Sequence, residues 1–203
     1  MVNEKNSSTE QKILEAAMLE FIEKGMAGAR MQEIANQAGI NKALLHYYYR
    51  SKDKLFAVVF SLVLKSIAPK ITSIFEDESD LFEKIRRFVS EYITLIQSNP
   101  HIPVFVLHEL SSNPARLSES LLGVKINFDY FKKQINDEVK AGRIRPIEPD
   151  ELLINILSLC VFPIIAQPII RPLLFEGNSA EYNQMIERRK TQAAEFIINA
   201  IKI

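Results

Sequence analysis

The chain has 203 residues, 47% of them hydrophobic, and its 25 Lys+Arg balance 25 Asp+Glu. That length holds one large domain or two small ones with a real core, and only six Gly and nine Pro argue against a fibrous or loop-dominated chain. A single cysteine, Cys160, excludes an internal disulfide framework and fits a reducing cytoplasm, and polar residues 1–6 carry no signal-peptide character, so a cytoplasmic location is expected.

Residues 1–6 read as a loose tail. Ser8 followed by Gln11 is a capping-box signature. It predicts a first helix over about 9–24, with Ile13, Leu14, Ala17, Met18, Phe21 and Ile22 on one face and Gly25 ending it. Residues 31–52, MQEIANQAGINKALLHYYYRSK, read as helix, tight turn and helix. Met31, Ile34, Ala35 and Ala38 have helical spacing, and Gly39 can take the left-handed conformation that ends a helix. Asn41 is a good N-cap for a third helix over 41–49. Ile40 and Leu45 tuck inward, which leaves Lys42, Ala43, Leu44, His46, Tyr47 and Tyr48 along the outer side. Between residues 28 and 54 there are five basic residues (Arg30, Lys42, Arg50, Lys52, Lys54) against Glu33 and Asp53, a net +3. A helix showing lysine, histidine and tyrosine beside such a patch suits a DNA groove.

Ser51 caps a fourth helix that carries Leu55, Phe56, Val58, Val59, Leu62, Val63 and Ile67 up to Pro69. Residues 71–75 continue beyond a kink, with Pro69 either a hinge or a tolerated bend. After an acidic break, Leu81, Ile85, Phe88, Val89, Tyr92, Leu95 and Ile96 make the stripe of a fifth helix over 81–98, stopped by Asn99-Pro100. Residues 102–110 predict a short central helix. Asn113-Pro114 opens a seventh, with Leu121, Val124 and Phe128 among its apolar residues, and it runs to about 140 before Ala141-Gly142 closes it. Glu148-Pro149 then opens a run in which residues 152–170 hold no charge. That approaches the length of a membrane span, about 20 apolar residues. The interruptions at Asn155, Ser158, Pro163, Gln167 and Pro168, with no basic flank, argue instead for a buried helix packed on the body and a second subunit, ended or bent at its prolines. A last helix over 180–201 turns Tyr182, Met185, Ile186, Ala193, Phe196, Ile197, Ala200 and Ile201 inward. All strong periodicity is helical.

From Ile13 to Leu55 the pattern (an apolar first helix, Gly25, Ile34-Ala35, Ala38-Gly39-Ile40, Leu45, Tyr48, Ser51-Lys52 and Leu55) resembles the N-terminal helix-turn-helix of the tetracycline-repressor (TetR) family of transcriptional regulators. The resemblance implies an all-α fold of about nine helices. A three-helix DNA-binding domain would cover 7–54, and a larger helical domain for effector binding and dimerisation would cover 55–203. It implies phosphate contacts from Lys42 and Lys52, base-edge contacts from Ala43, Leu44 and Tyr47, and phosphate or sugar contacts from His46 and Tyr48, although Tyr48 fits the core equally well. Tyr49 matches a core aromatic. Arg30 stands where the family carries a capping Ser or Thr; arginine cannot cap, but its guanidinium can reach a phosphate.

The implied protein is a regulator, most often a repressor, that binds a near-palindromic double-stranded DNA operator as a homodimer and is released by a small hydrophobic effector. The family pairs its C-terminal helices in a four-helix bundle. For the effector, aromatic walls with a few polar handles are expected from Tyr92, Phe105, His108, Phe128, Phe131, Phe162 and Gln167, each of which also fits plain core. No cofactor, metal or catalytic residue is expected. His101 and His108 lack the spacing of a metal pair, and Cys160 sits in an apolar run where a thiol is inert. A helical hydrophobe carrier without DNA binding is the alternative.

Overall fold

The computed structural model describes residues 2–99, 101–112, 114–123 and 127–203, with side chains except at 2–7, 66, 67, 101, 105, 108, 112, 116 and 120–122. Its helices are α1 (Val2–Gly28), α2 (Met31–Gln37), α3 (Lys42–Tyr48), α4 (Lys52–Glu76), α5 (Leu81–Ser98), α6 (His101–Ser112), α7 (Pro114–Leu122), α8 (Asp129–Lys140), α9 (Pro149–Ile165), α10 (Gln167–Phe175) and α11 (Ser179–Ile201). The fold is all-α; among the described residues the only extended pairing is an isolated bridge between Ile144 and Lys202. Two compact units divide the chain, residues 1–67 with 104–125 and residues 68–103 with 126–203.

The first unit packs Ile13, Ala17 and Phe21 of α1 on Ile34 and Ala35 of α2, Leu45 of α3, and Leu55, Phe56 and Phe60 of α4. Phe21 meets Phe56 edge-on at 5.0 Å, and Phe60 stacks on Phe56. Leu117 of α7 joins the same cluster. The helix starts earlier than Ser8 predicts, at Val2. The capping box does not form: Gln11 Nε2 donates along the helix to Glu15 Oε1 at 2.9 Å. Gly25 does end the first stretch, with φ of 65°. The short apolar helix, α6, is not central, since Val104, Leu107 and Leu110 are exposed. The cap expected at Asn113 and the stop at Pro100 lie outside the described residues.

In the second unit, Phe75 sits in an aromatic cluster, its ring 4.7 Å from Phe88, 5.1 Å from Phe128 and 4.8 Å from Phe131. Around it α5 supplies Ile85 and Val89, α9 supplies Leu152, Ile156 and Cys160, and α11 supplies Ile186, Ala194 and Ile197. Asp80 caps α5, accepting from the N–H groups of Phe82 and Glu83 at 2.9 and 3.0 Å. Lys84 is fully buried, with Nζ donating to the carbonyls of Phe75 (3.2 Å) and Asp77 (2.8 Å) over the ring of Tyr130. A cation thus closes the carbonyl end of α4, the favourable end for positive charge.

Two expected helices are each two. The seventh divides into α7 and α8 around Gly123 and Asn127, where Asn127 Oδ1 accepts from the N–H of Asp129 at 2.9 Å and starts the chain afresh. Val124 and the side chain of Leu121 lie outside the described residues. The apolar run divides into α9 and α10, bent by 73° at Ala166 beside Pro168. Pro163 does not end α9. Proline has no N–H to give the carbonyl of Leu159, but Arg189 Nη2 supplies a bond there at 2.7 Å. The carbonyl of Pro163, next to the bend, takes the hydroxyl of Tyr182 at 3.0 Å. Pro69 likewise stays inside α4. That helix is long and apolar enough to cross a membrane, and it buries Leu55, Phe56, Val59, Phe60, Ile74 and Phe75. In the single chain Ile154, Phe162 and Ile169 of this run are exposed, as are Leu173 and Leu174 beyond it. On α11, Phe196 and Ala200 also face out rather than in.

Candidate nucleic-acid interface

The helix-turn-helix is fixed by a few local choices. At the end of α2, Gly39 has φ of 70°, and the N–H of Ile40 returns to the carbonyl of Ala35 at 3.0 Å. A Cβ on Gly39 would meet nothing within 4 Å, so the demand there is conformational rather than steric. Asn41 then caps α3, its Oδ1 accepting from the N–H of Leu44 at 2.8 Å. Leu45 is 0% exposed and Tyr49, four residues on, is 7% exposed, so this side of α3 faces the core. The Tyr49 hydroxyl donates to Glu10 Oε1 at 3.0 Å, and burial with that bond pushes its pKa well above the usual tyrosine value.

The opposite side is open. Lys42, Ala43, Leu44 and His46 are exposed, and Tyr47 is 81% exposed. Tyr48 is half-buried, its ring perpendicular to that of Tyr47 at 5.8 Å. Lys52 is also half-buried, and its Nζ already donates to the carbonyls of Ala27 (3.3 Å) and Ala29 (3.0 Å), tying the start of α4 to the α1–α2 junction. Arg30 precedes α2 with extended backbone and no side-chain cap, its side chain exposed.

One residue of this region escaped sequence reasoning. Glu20 of α1 is 0% exposed, and its carboxylate accepts from Lys24 Nζ (2.9 Å), the backbone N–H of Arg30 (3.2 Å) and Gln37 Nε2 (3.3 Å). The bond to Glu20 raises the Lys24 pKa. A signal existed: Glu20 falls on the stripe Ile13, Ala17, Phe21, where a carboxylate has to find donors.

Of the expected effector residues with described side chains, Tyr92, Phe128 and Phe131 belong to one aromatic cluster around Phe75 and Phe88, while Phe162 and Gln167 lie on α9 and α10. In the second unit a cavity of about 300 Å³ is lined by Ile71, Ile74, Phe88, Tyr92 and Leu95, with Lys70 among the polar groups. Tyr92 is on it, stacked on Phe88 at 5.2 Å, and burial pushes its hydroxyl up to about 12. Phe131 is fully buried, Phe128 packs on Phe75, Phe162 is 65% exposed, and Gln167 is half-buried at the α9–α10 bend. The side chains of Phe105 and His108 lie outside the described residues. Cys160 is buried, which pushes its thiol up to about 12.

A helix-turn-helix, α2 and α3, packed on α1 and α4 with Lys42, His46 and Tyr47 exposed is the arrangement expected of a DNA-binding regulator. Residues 13–59 match the model of the tetR family of bacterial regulatory proteins. The HTH-type transcriptional regulator RutR of Escherichia coli strain K12 is 28% identical over 151 residues, covering 74% of this chain and 71% of RutR. The nucleoid occlusion factor SlmA of Vibrio campbellii is 25% identical over 163 residues, covering 78% and 83%. HlyIIR, a hemolysin II transcriptional regulator, superposes with a TM-score of 0.67 over 98% of both chains at 24% identity. FadR of Bacillus subtilis, solved in complex with stearoyl-CoA, gives 0.63 over 91% of this chain and 98% of FadR at 14% identity. Residues 13–59 thus carry a tetR-family helix-turn-helix, and the curated relatives that extend over about three quarters of the chain include HTH-type transcriptional regulators.

Proposed function

We propose that this regulator is a cytoplasmic repressor that binds a near-palindromic operator as a homodimer and lets go when a small hydrophobic molecule binds its larger domain. Residues 7–54 serve as the DNA-binding domain and 55–203 as the effector and dimerisation domain. The observation that carries the reading is the solvent-facing side of α3, with Lys42, Ala43, Leu44, His46 and Tyr47 all exposed. Lysine and histidine give charge to phosphates, while Ala43 and Leu44 suit thymine methyls. Tyrosine adds a flat apolar body with a hydroxyl tip. Arg30, Tyr48 and Lys52 complete the proposed set of DNA contacts.

Dimerisation is supported by the exposed Ile154, Phe162, Leu173, Leu174 and Phe196 on α9, α10 and α11, the kind of apolar surface that a partner covers. Two copies of α3 then enter successive major grooves about 34–36 Å apart. The effector reading rests on the cavity beside Phe88 and Tyr92, apolar with a polar rim. Release follows from a ligand that prefers the dimer whose reading helices no longer match that spacing.

The test is capture of genomic fragments on the purified protein, sequencing of what is retained, and sedimentation of the complex. An inverted repeat bound by two subunits is the expected result. A protein that retains no fragment above background is the carrier of the alternative reading.

A further inference from the structure

We propose that Glu20 is a positioning residue for DNA binding: it holds α2 at both ends from α1 and aims Arg30 at a phosphate. The inference rests on reading the exposed face of residues 30–52 as the DNA face. Helix N-termini leave N–H groups without partners, and a Ser or Thr before the first turn is the usual local remedy. Here that position is Arg30, which forms no side-chain cap. In a capping box the N–H of the residue before the first turn is taken by a glutamate three residues on. Glu33 occupies that place in the sequence, yet the N–H of Arg30 goes to Glu20 Oε1 at 3.2 Å.

The other oxygen of the same carboxylate takes Gln37 Nε2, at the last residue of α2. One buried carboxylate therefore touches the residue before α2 and the residue that ends it. Its negative charge also sits near the positive end of the helix. Lys24, four residues along α1, donates to both oxygens and is the cation a buried carboxylate requires. The backbone of residue 30 is thus anchored without its side chain, and the guanidinium is left exposed as a phosphate donor at a position whose hydroxyl would otherwise be occupied with capping.

The experiment measures the salt dependence of binding to a mixed-sequence DNA duplex, well below the melting temperature of every variant. In the wild type, Arg30→Ala lowers the slope of log K against log salt by about one unit. The same loss is expected beside Glu20→Gln, which keeps an oxygen for the Arg30 N–H. Beside Glu20→Leu, Arg30→Ala changes the slope little, because the arginine is no longer aimed. A general loss of stability does not produce that coupling. Equal losses in the wild-type and Glu20→Leu backgrounds overturn the positioning role. No loss in the wild type overturns the phosphate contact. A wild-type protein that does not bind the duplex at all removes the DNA-face reading and the inference with it.

Discussion

Single residues decide whether α3 can be read as a DNA helix. Lys42 is an exposed point charge, so Lys42→Ala is expected to weaken binding to all DNA alike and to lower the salt slope by about one unit, checked by titration across ionic strength. Tyr47 makes an edge contact with Tyr48 and stands out into solvent. Tyr47→Ala is therefore expected to cost operator binding more than binding to random duplex. Equal losses on both remove it from the base-reading set. Gly39 tests the turn itself. Its positive φ and open surroundings predict that Gly39→Ala costs about 1–2 kcal/mol in denaturant unfolding, from backbone conformation alone. At this scale the sequence was most informative where a residue has one local job. Asn41, Gly39 and Leu45 took the roles their chemistry dictates. Glu20 shows itself only by its place on the apolar stripe of α1, and Lys84 reads as a solvated charge until the carbonyls that satisfy it are seen.

Among the elements, boundaries set by strong local signals were legible: α5, the Gly142 stop of α8 and the Pro149 start of α9 all fall where turn and cap chemistry puts them. The misplaced ones have tertiary causes. The Ser8 box lost to continued helix, with Gln11 bonded along α1 instead. Pro163 lies inside α9 because α11 brings Arg189 to the carbonyl that proline leaves without a donor. No periodicity within α9 could reveal that. Arg189→Leu is accordingly expected to destabilise the protein by about 1–3 kcal/mol, the cost of an orphaned buried acceptor, read from the unfolding midpoint. Residues that would line an effector pocket are the hardest to pick out of the sequence. Aromatic residues mark core and ligand walls alike, and here Phe128 and Phe131 pack on Phe75 while Tyr92 lines the cavity.

For the molecule as a whole, the apolar surface on α9–α11 predicts its state in solution. Phe162→Glu is expected to convert a dimer to monomer in sedimentation and to lower operator affinity with it; a variant that stays dimeric places the subunit interface elsewhere. The buried thiol of Cys160 makes a separate forecast. Its pKa rises from 9.0 to about 12 on burial, so the unfolded chain gives up this proton first. The contribution to stability is complete below pH 9 and falls as pH climbs toward 12. At neutral pH, alkylation of Cys160 is expected only after denaturant is added.

The bonds from Tyr182 and Arg189 to the carbonyls of Pro163 and Leu159 reach further than the two helices they join. A premature stop after α10 would delete no atom of the bent pair, yet it would strip both struts from its corner. A lesion late in the gene would thus be felt upstream, as an exposed apolar surface whose angle is no longer set.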